Sequence, residues 1–369
     1  MFLAWRDLRV ARARFVLVGA VIALVALLTT LLSGLATGLV DDGISGLRGL
    51  PLTHLALQPG AQHSFSRSAL TPDELTPWQD AAAGGDGLDV APLGVSFFNA
   101  RTAGGDTVDF ALFGTPPDSF LAPDEQAHAA LGGPPGLVLS DQLRESAGLA
   151  VGDELTVVGP DVTLPILGFT YGGSYGHVDI AFSSLAVWQE LVYGADAKGR
   201  FSAVAIRADD ASADSLAAVD AIAGTATETR EAAYAGSPGY AAETATMSLI
   251  SGFLLVIASL ITAAFFTVWT VQRTRQIGLL KALGASNAYV LRDALGQLTV
   301  VLVAATGVGT ALAIGLGRLV GSGVPFSLQA GPILTSALIL VALGLLGALV
   351  AVRRVTAVDP AISLAGADA

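Results

Sequence analysis

The chain contains no cysteine. That excludes both a disulfide framework and a thiolate metal site. Charge is also scarce, at 14% of residues, and the lysines are only Lys198 and Lys281. Neither follows a G-x-x-x-x-G loop, so the chain has no phosphate cradle of that kind and does not bind ATP in that way itself. The H-E-x-x-H, G-x-S-x-G and EF-hand patterns are missing too, and no catalytic residue is assigned. His54, His63, His128 and His177 are scattered singly. Each reads as a surface or hydrogen-bonded histidine before it reads as a metal ligand. The pairs Asp41-Asp42 and Asp209-Asp210 are adjacent in sequence and do not face each other, so they read as solvated charge.

Apolar residues are abundant. They make up 53% of 369 residues, with a mean hydropathy of +0.64. Four runs are long and apolar enough to cross a bilayer: 15–39, 246–271, 294–319 and 331–352. The first exceeds the apolar core of a signal peptide. With Arg6, Arg9, Arg12 and Arg14 before it, it reads as a retained anchor.

Charge orients these spans. Arginines crowd residues 1–14, the 272–293 loop carries Arg273, Arg275, Lys281 and Arg292, and the 353–369 tail begins Arg353-Arg354. By the positive-inside rule all three are expected in the cytoplasm, and both termini with them. Residues 40–245 are then expected outside, as is the short 320–330 loop. The 40–245 segment carries a formal charge of −19 and the rest of the chain +7. Such a split follows if the two parts face opposite sides of a cell membrane. An acidic exterior disfavours nucleic acid.

Segment 40–245 has the pattern of a folded α+β domain. Short strand-like runs lie at 52–57, 108–113, 136–139, 155–158, 164–169, 178–182 and 203–207. Ser140 is placed to cap a helix to Ala147, Ser183 one to Tyr193, and Ser212 one to Ile222. Residues 81–87 and 132–136 read as small-residue loops. The expected fold is four transmembrane α-helices with this large domain between the first and second.

The 272–293 segment, QRTRQIGLLKALGASNAYVLRD, is basic and amphipathic. Ile277, Leu280 and Leu283 recur at helical spacing, with Arg275 and Lys281 among them. Gly284 is suited to end that helix. An apolar knob presented in the cytoplasm fits a groove on a soluble partner that supplies energy.

This run, Arg275, Ile277, Gly278, Leu280, Lys281, Ala282, Leu283, Gly284, Ala285, resembles the coupling helix of the MacB/FtsX-type permeases of ABC transporters. The layout of one span, an outer domain and three spans is theirs as well. Arg353-Arg354-Val355 through Asp359-Pro360-Ala361 is similar to the family's end. Residues 136–158 and 178–191 are similar to segments of its porter core. The resemblance implies a homodimer in membrane lipid, bound to two copies of a separate ATPase that carries ATP and Mg.

Within that family, the start MFLAWRDLRVARARFVLVG and the compact outer domain resemble haemin-exporter permeases of Gram-positive actinobacteria. That resemblance implies haem as the substrate and no intrinsic cofactor. Tyr240, Glu243 and Met247 fall at i, i+3 and i+7, one stripe of the helix entering the second span. Glu243 and Met247 are the candidate ligands of the haem iron, with Tyr240 at the ring edge and no other metal site. Ser237-Pro238 is a candidate cap and first turn for that helix. The same stripe also fits ordinary packing and a solvated carboxylate. Gly34 with Gly38, and Gly307 with Ala311 and Gly315, read as helix-packing faces. Two other classes fit the sequence: a mechanotransmission permease that acts on a partner protein or exports another amphipathic compound, and a non-transporting regulator of a cell-wall enzyme.

Overall fold

A computed structural model describes residues 12–84, 87–208, 212–272, 286–320 and 324–356. The chain divides into two compact units. One comprises Met1–Leu39 with Thr244–Ala369, the other Val40–Glu243. Segments 273–285 and 357–369, which include all six coupling residues and the Asp359-Pro360-Ala361 end, lie outside the described residues.

The first helix, α1 (Arg12–Arg48), is 37 residues long. At 1.5 Å per residue it is about 55 Å long, well beyond the hydrocarbon core of a bilayer. Its composition changes accordingly. Apolar residues fill it as far as Leu39, and the last turns carry Asp41, Asp42, Ser45 and Arg48. The helix therefore runs past the expected end of the span, with no Pro to stop it and with polar turns that have partners of their own.

The α+β unit then follows: β1 (His54–Leu57), α2 (Pro72–Ala83), β2 (Leu88–Thr102), β3 (Thr107–Thr115), α3 (Glu125–Leu131), β4 (Leu137–Ser140), α4 (Asp141–Ala147), β5 (Glu154–Val157), β6 (Val162–Thr170), β7 (Ser174–Tyr175), β8 (Val178–Ser184), α5 (Leu185–Tyr193), β9 (Ala203–Ala208), α6 (Ala213–Ala223), β10 (Ala226–Thr229) and α7 (Arg230–Ala233). The strands join in the order β10-β1-β9-β2-β3-β8-β4-β6-β5. β2 is long enough to serve two ladders. Leu88–Leu93 pairs with β9 and Gly94–Arg101 with β3. Its end also pairs with β5, Ala100 opposite Val157, so the sheet closes on itself from β2 round to β5. Two apolar clusters fill the unit. One is built around Trp78, Phe110 and Trp188, the other around Leu50, Phe113, Tyr175 and Phe182. Gly94 and Gly114 lie under the Trp188 side chain, in space that a Cβ would occupy.

Every expected strand is present within a residue or two. Three strands went unread. β2 alternates weakly and contains Pro92; β7 and β10 are too short to show a period. The 81–87 loop begins later than expected, because α2 continues through Ala83. A capping box on Thr71 and Glu74, with Pro72 at the first position, starts that helix. The α4 cap is Ser140, accepting from Gln142 N at 3.2 Å, and Gly148 ends the helix with φ +64°. The α6 cap is Ser212, as read. The α5 cap is Ser184 rather than Ser183, whose hydroxyl donates to the Ser184 carbonyl.

Three further long helices follow among the described residues: α8 (Tyr240–Gln272), α9 (Asn287–Gly317, capped by Ser286) and α10 (Ala330–Thr356). With α1 they make four helices long and apolar enough to cross a membrane. The small residues serve contacts other than those expected. Gly307 and Gly315 have nothing within 4 Å of a built Cβ. It is Gly309 that lets α9 approach α1, where a Cβ would lie 2.8 Å from Ala26 Cβ. Gly34 and Gly38 accommodate the 325–327 segment instead of a helix. A Cβ at Gly34 would stand 2.6 Å from the Phe326 ring, and the Gly34 carbonyl accepts from Ser327 N at 3.0 Å.

Candidate functional site

The polar turns of α1 dock against residues 171–180 of their own unit through three glycines, Gly43, Gly46 and Gly49, which share one face at i, i+3 spacing. A Cβ at Gly46 would overlap Ile180, and one at Gly49 would lie 2.7 Å from the Tyr171 ring. The close approach creates hydrogen bonds. Gly43 O accepts from Gly176 N at 2.9 Å and from the Ser237 hydroxyl at 2.7 Å. Gly46 O accepts from Tyr171 OH at 2.8 Å, and Ser45 Oγ accepts from Ser174 N at 2.9 Å. Ser237 is thereby engaged with α1. It does not cap α8, which starts instead at Tyr240, with Gly239 O accepting from Glu243 N at 3.0 Å.

A two-residue turn, Gly176-His177, joins β7 to β8. Both residues have positive φ, +61° and +65°, as a type I′ hairpin requires. The turn presents the His177 ring to two carboxylates from distant elements. Nδ1 lies 2.9 Å from Asp42 Oδ2 on α1, and Nε2 lies 3.1 Å from Glu243 Oε1 in the first turn of α8. Asp42 Oδ1 also accepts from the Ser174 hydroxyl at 3.2 Å. Gly239 (φ +85°) leaves room for the Glu243 carboxylate, 2.8 Å from where its Cβ would be. Burial by itself would lower the His177 pKa. The Asp42 hydrogen bond and the Glu243 charge outweigh it, so the ring titrates above its ordinary range. Asp179, two residues on, is pushed up to about 6 by burial first and by the charge of Asp42 second, against a hydrogen bond with Ser140.

The three residues of the expected haem stripe thus have separate surroundings. Tyr240 is half-buried, edge-on to Tyr234 with ring centroids 6.2 Å apart. Glu243 is paired with His177, and Met247 is half-buried one helical turn further along α8. His177 was missed by sequence reasoning. A Tyr-Gly-His-Val hairpin turn is a readable local signal, but its partners at 42 and 243 lie too far along the chain to be paired by inspection.

On α8 itself, Leu249, Phe253, Val256 and Leu260 are exposed, as lipid-facing or subunit-facing residues of a membrane helix are. The model of the FtsX-like permease C-terminal family matches residues 248–360, which take in all of α9 and α10 and most of α8. This part of the chain is an FtsX-like permease domain. Over its whole length the chain is 24% identical to a Staphylococcus haemolyticus protein named as a hemin transport system permease, HrtB, covering all of both chains. It is 21% identical over 99% of each to the protein of that name from Staphylococcus epidermidis. Among solved structures it is similar to the extracellular domain of the noncanonic ABC-type transporter YknZ (14% identity, TM-score 0.33, 48% of this chain and 98% of the other). It is also similar to the periplasmic region of MacB from Actinobacillus actinomycetemcomitans (12% identity, TM-score 0.34, 51% and 94%).

Proposed function

We propose that the chain is the permease subunit of an ABC-type exporter that removes haemin from the membrane, driven by a separate ATPase subunit. The observation that carries the reading is the end-to-end similarity to proteins named as hemin transport permeases. The FtsX-like domain supports it as the membrane part of such a permease.

The chemistry is consistent with that cargo. Haem is a flat apolar body with two anionic propionates and partitions into membranes. Entry from the outer leaflet between two copies of α8 suits it better than an aqueous channel. Glu243 and Met247 stand about one helical turn apart on α8 and offer the iron a carboxylate and a thioether, with Tyr240 at the ring edge. Each donor is weak alone, which suits a pump that must release what it binds. In a two-fold homodimer each donor occurs twice about the axis. Two ATPase copies bind ATP and Mg, and their closure moves the permease through the 272–293 segment, with Arg275, Ile277, Leu280, Lys281, Leu283 and Gly284 in their groove. The α+β unit is then extracellular and both termini are cytoplasmic.

Co-purification with an ATPase whose hydrolysis haemin stimulates is the direct test. In cells, Met247→Ala with Glu243→Ala should raise haemin sensitivity while expression and basal hydrolysis survive. An ATPase indifferent to haemin would reject haem as the cargo and favour a mechanotransmission permease.

A further inference from the structure

We propose that His177, oriented by Asp42, is the positioning residue of Glu243: it takes one oxygen of the carboxylate and leaves the other to the iron of haemin. The inference rests on the exporter reading above, in which Glu243 meets the iron. It adds to that reading two residues that never touch the cargo.

The side chains form a run of polar contacts with one free end. Asp42 Oδ1 accepts from the Ser174 hydroxyl at 3.2 Å, and Asp42 Oδ2 holds His177 Nδ1 at 2.9 Å. His177 Nε2 lies 3.1 Å from Glu243 Oε1. Carboxylates at both ring nitrogens call for a proton on each, so the ring acts here as a double donor and not as a ligand. Among the described residues nothing pairs with Glu243 Oε2, and the Glu243 side chain is 32% exposed. The backbone makes room for this placement. Long helical side chains lean toward the N-terminus of their helix, so the Glu243 carboxylate falls over Gly239. A Cβ at Gly239 would stand 2.8 Å from Oε1 and 3.6 Å from His177 Nε2, pressed against both partners.

Docking of α1 does not need this contact. Gly43 O already accepts from Gly176 N and from the Ser237 hydroxyl, and Ser45 Oγ accepts from Ser174 N. Those bonds join α1, the β7–β8 turn and the approach to α8 without His177. A type I′ turn favours Gly or Asn at its second position, so the turn does not call for an imidazole either. What His177 supplies beyond these bonds is the link to Glu243. A carboxylate that binds a metal keeps its geometry through a hydrogen-bonded outer partner, and loss of such a partner costs about 10–100-fold in affinity.

The test uses the full-length chain purified in detergent. It is titrated with haemin and, in parallel, with iron-free protoporphyrin IX, which has no axial bond to lose. His177→Asn removes the imidazole and tolerates the positive φ of the turn. With Glu243 present it should weaken haemin binding about tenfold or more and shift the Soret band toward that of Glu243→Ala. Combined with Glu243→Ala it should add no further change, as expected of a residue that acts only through its partner. Protoporphyrin should bind every variant alike. Asp42→Asn keeps the ring but loosens its orientation, and should give a smaller loss of the same kind. Wild-type haemin affinity and spectrum in His177→Asn overturn the positioning role and leave Glu243 as the ligand. A loss that persists undiminished beside Glu243→Ala, or that extends equally to protoporphyrin, overturns it as well and assigns His177 to the fold. If Glu243→Ala by itself binds haemin as wild type does, the iron contact of Glu243 fails and the inference falls with it. Wild-type protein that binds no haemin removes the exporter reading and this inference together.

Discussion

His177 Nε2 lies 3.1 Å from Glu243 Oε1, although one residue sits on a β-hairpin turn and the other in the first turn of a membrane-entering helix. With Asp42 on the other ring nitrogen, this single side chain ties together the end of α1, the β7–β8 turn and the start of α8. A surface ion pair contributes little to stability, about 0–1 kcal/mol. What distinguishes this one is that the glycine face of α1 and the backbone hydrogen bonds to Gly43 and Gly46 fix its geometry.

That glycine face is the first point of attack. Gly46→Ala would push a methyl group into Ile180, which is fully buried. Overpacking of this kind costs about 1–3 kcal/mol. Thermal unfolding of the full-length chain in detergent should show a lower midpoint. Gly252→Ala on α8, where nothing lies within 4 Å, should leave it unchanged or slightly higher. Equal midpoints for the two variants would mean that α1 does not dock through Gly46.

Asp179 gives a pH dependence of known sign. Its folded-state value of about 6 lies above the ordinary 3.8, so the folded chain holds this proton more tightly than the unfolded one. Stability from this group is complete below about pH 4 and falls as pH rises through 6. Asp179→Asn mimics the protonated form. It should raise the unfolding midpoint by about 2–4 °C at pH 7.5 and not at all near pH 4. A variant less stable than wild type at pH 7.5 would contradict the assignment.

The coupling segment is testable without a structure of it. Leu280→Asp with Leu283→Asp would place unpaired charge in an apolar groove. The ATPase should dissociate or lose transport-linked hydrolysis while the permease still reaches the membrane. Full coupling in the double variant would rule the segment out as the contact.

Orientation has its own experiment, made simple by the absence of native cysteine. Cysteine at Ser212, the exposed cap of α6, should react with an impermeant thiol reagent in whole cells. Cysteine at Ser286, the cap of α9, should react only after the membrane is opened. The reverse pattern would overturn the charge-based topology.

The sequence by itself determined the four apolar helices, the α+β character of the intervening unit and most of its strands, because these follow from hydrophobic period and from local capping. The cap of α4 at Ser140 with its stop at Gly148 was legible to the residue, since a serine hydroxyl and a left-handed glycine act only on their own turns. Only the tertiary structure decided that α1 runs on to Arg48, that Gly34 and Gly38 admit Pro325 and Phe326 rather than a helix, and that Ser237 bonds to Gly43. It alone converted the scattered residues Asp42, His177 and Glu243 into one cluster. No periodicity links positions so far apart. They meet because the sheet fixes where the β7–β8 turn lies and because three glycines let a helix come close enough for side chains to reach across. Long-range pairing of that kind depends on backbone proximity, which the residue types alone do not record.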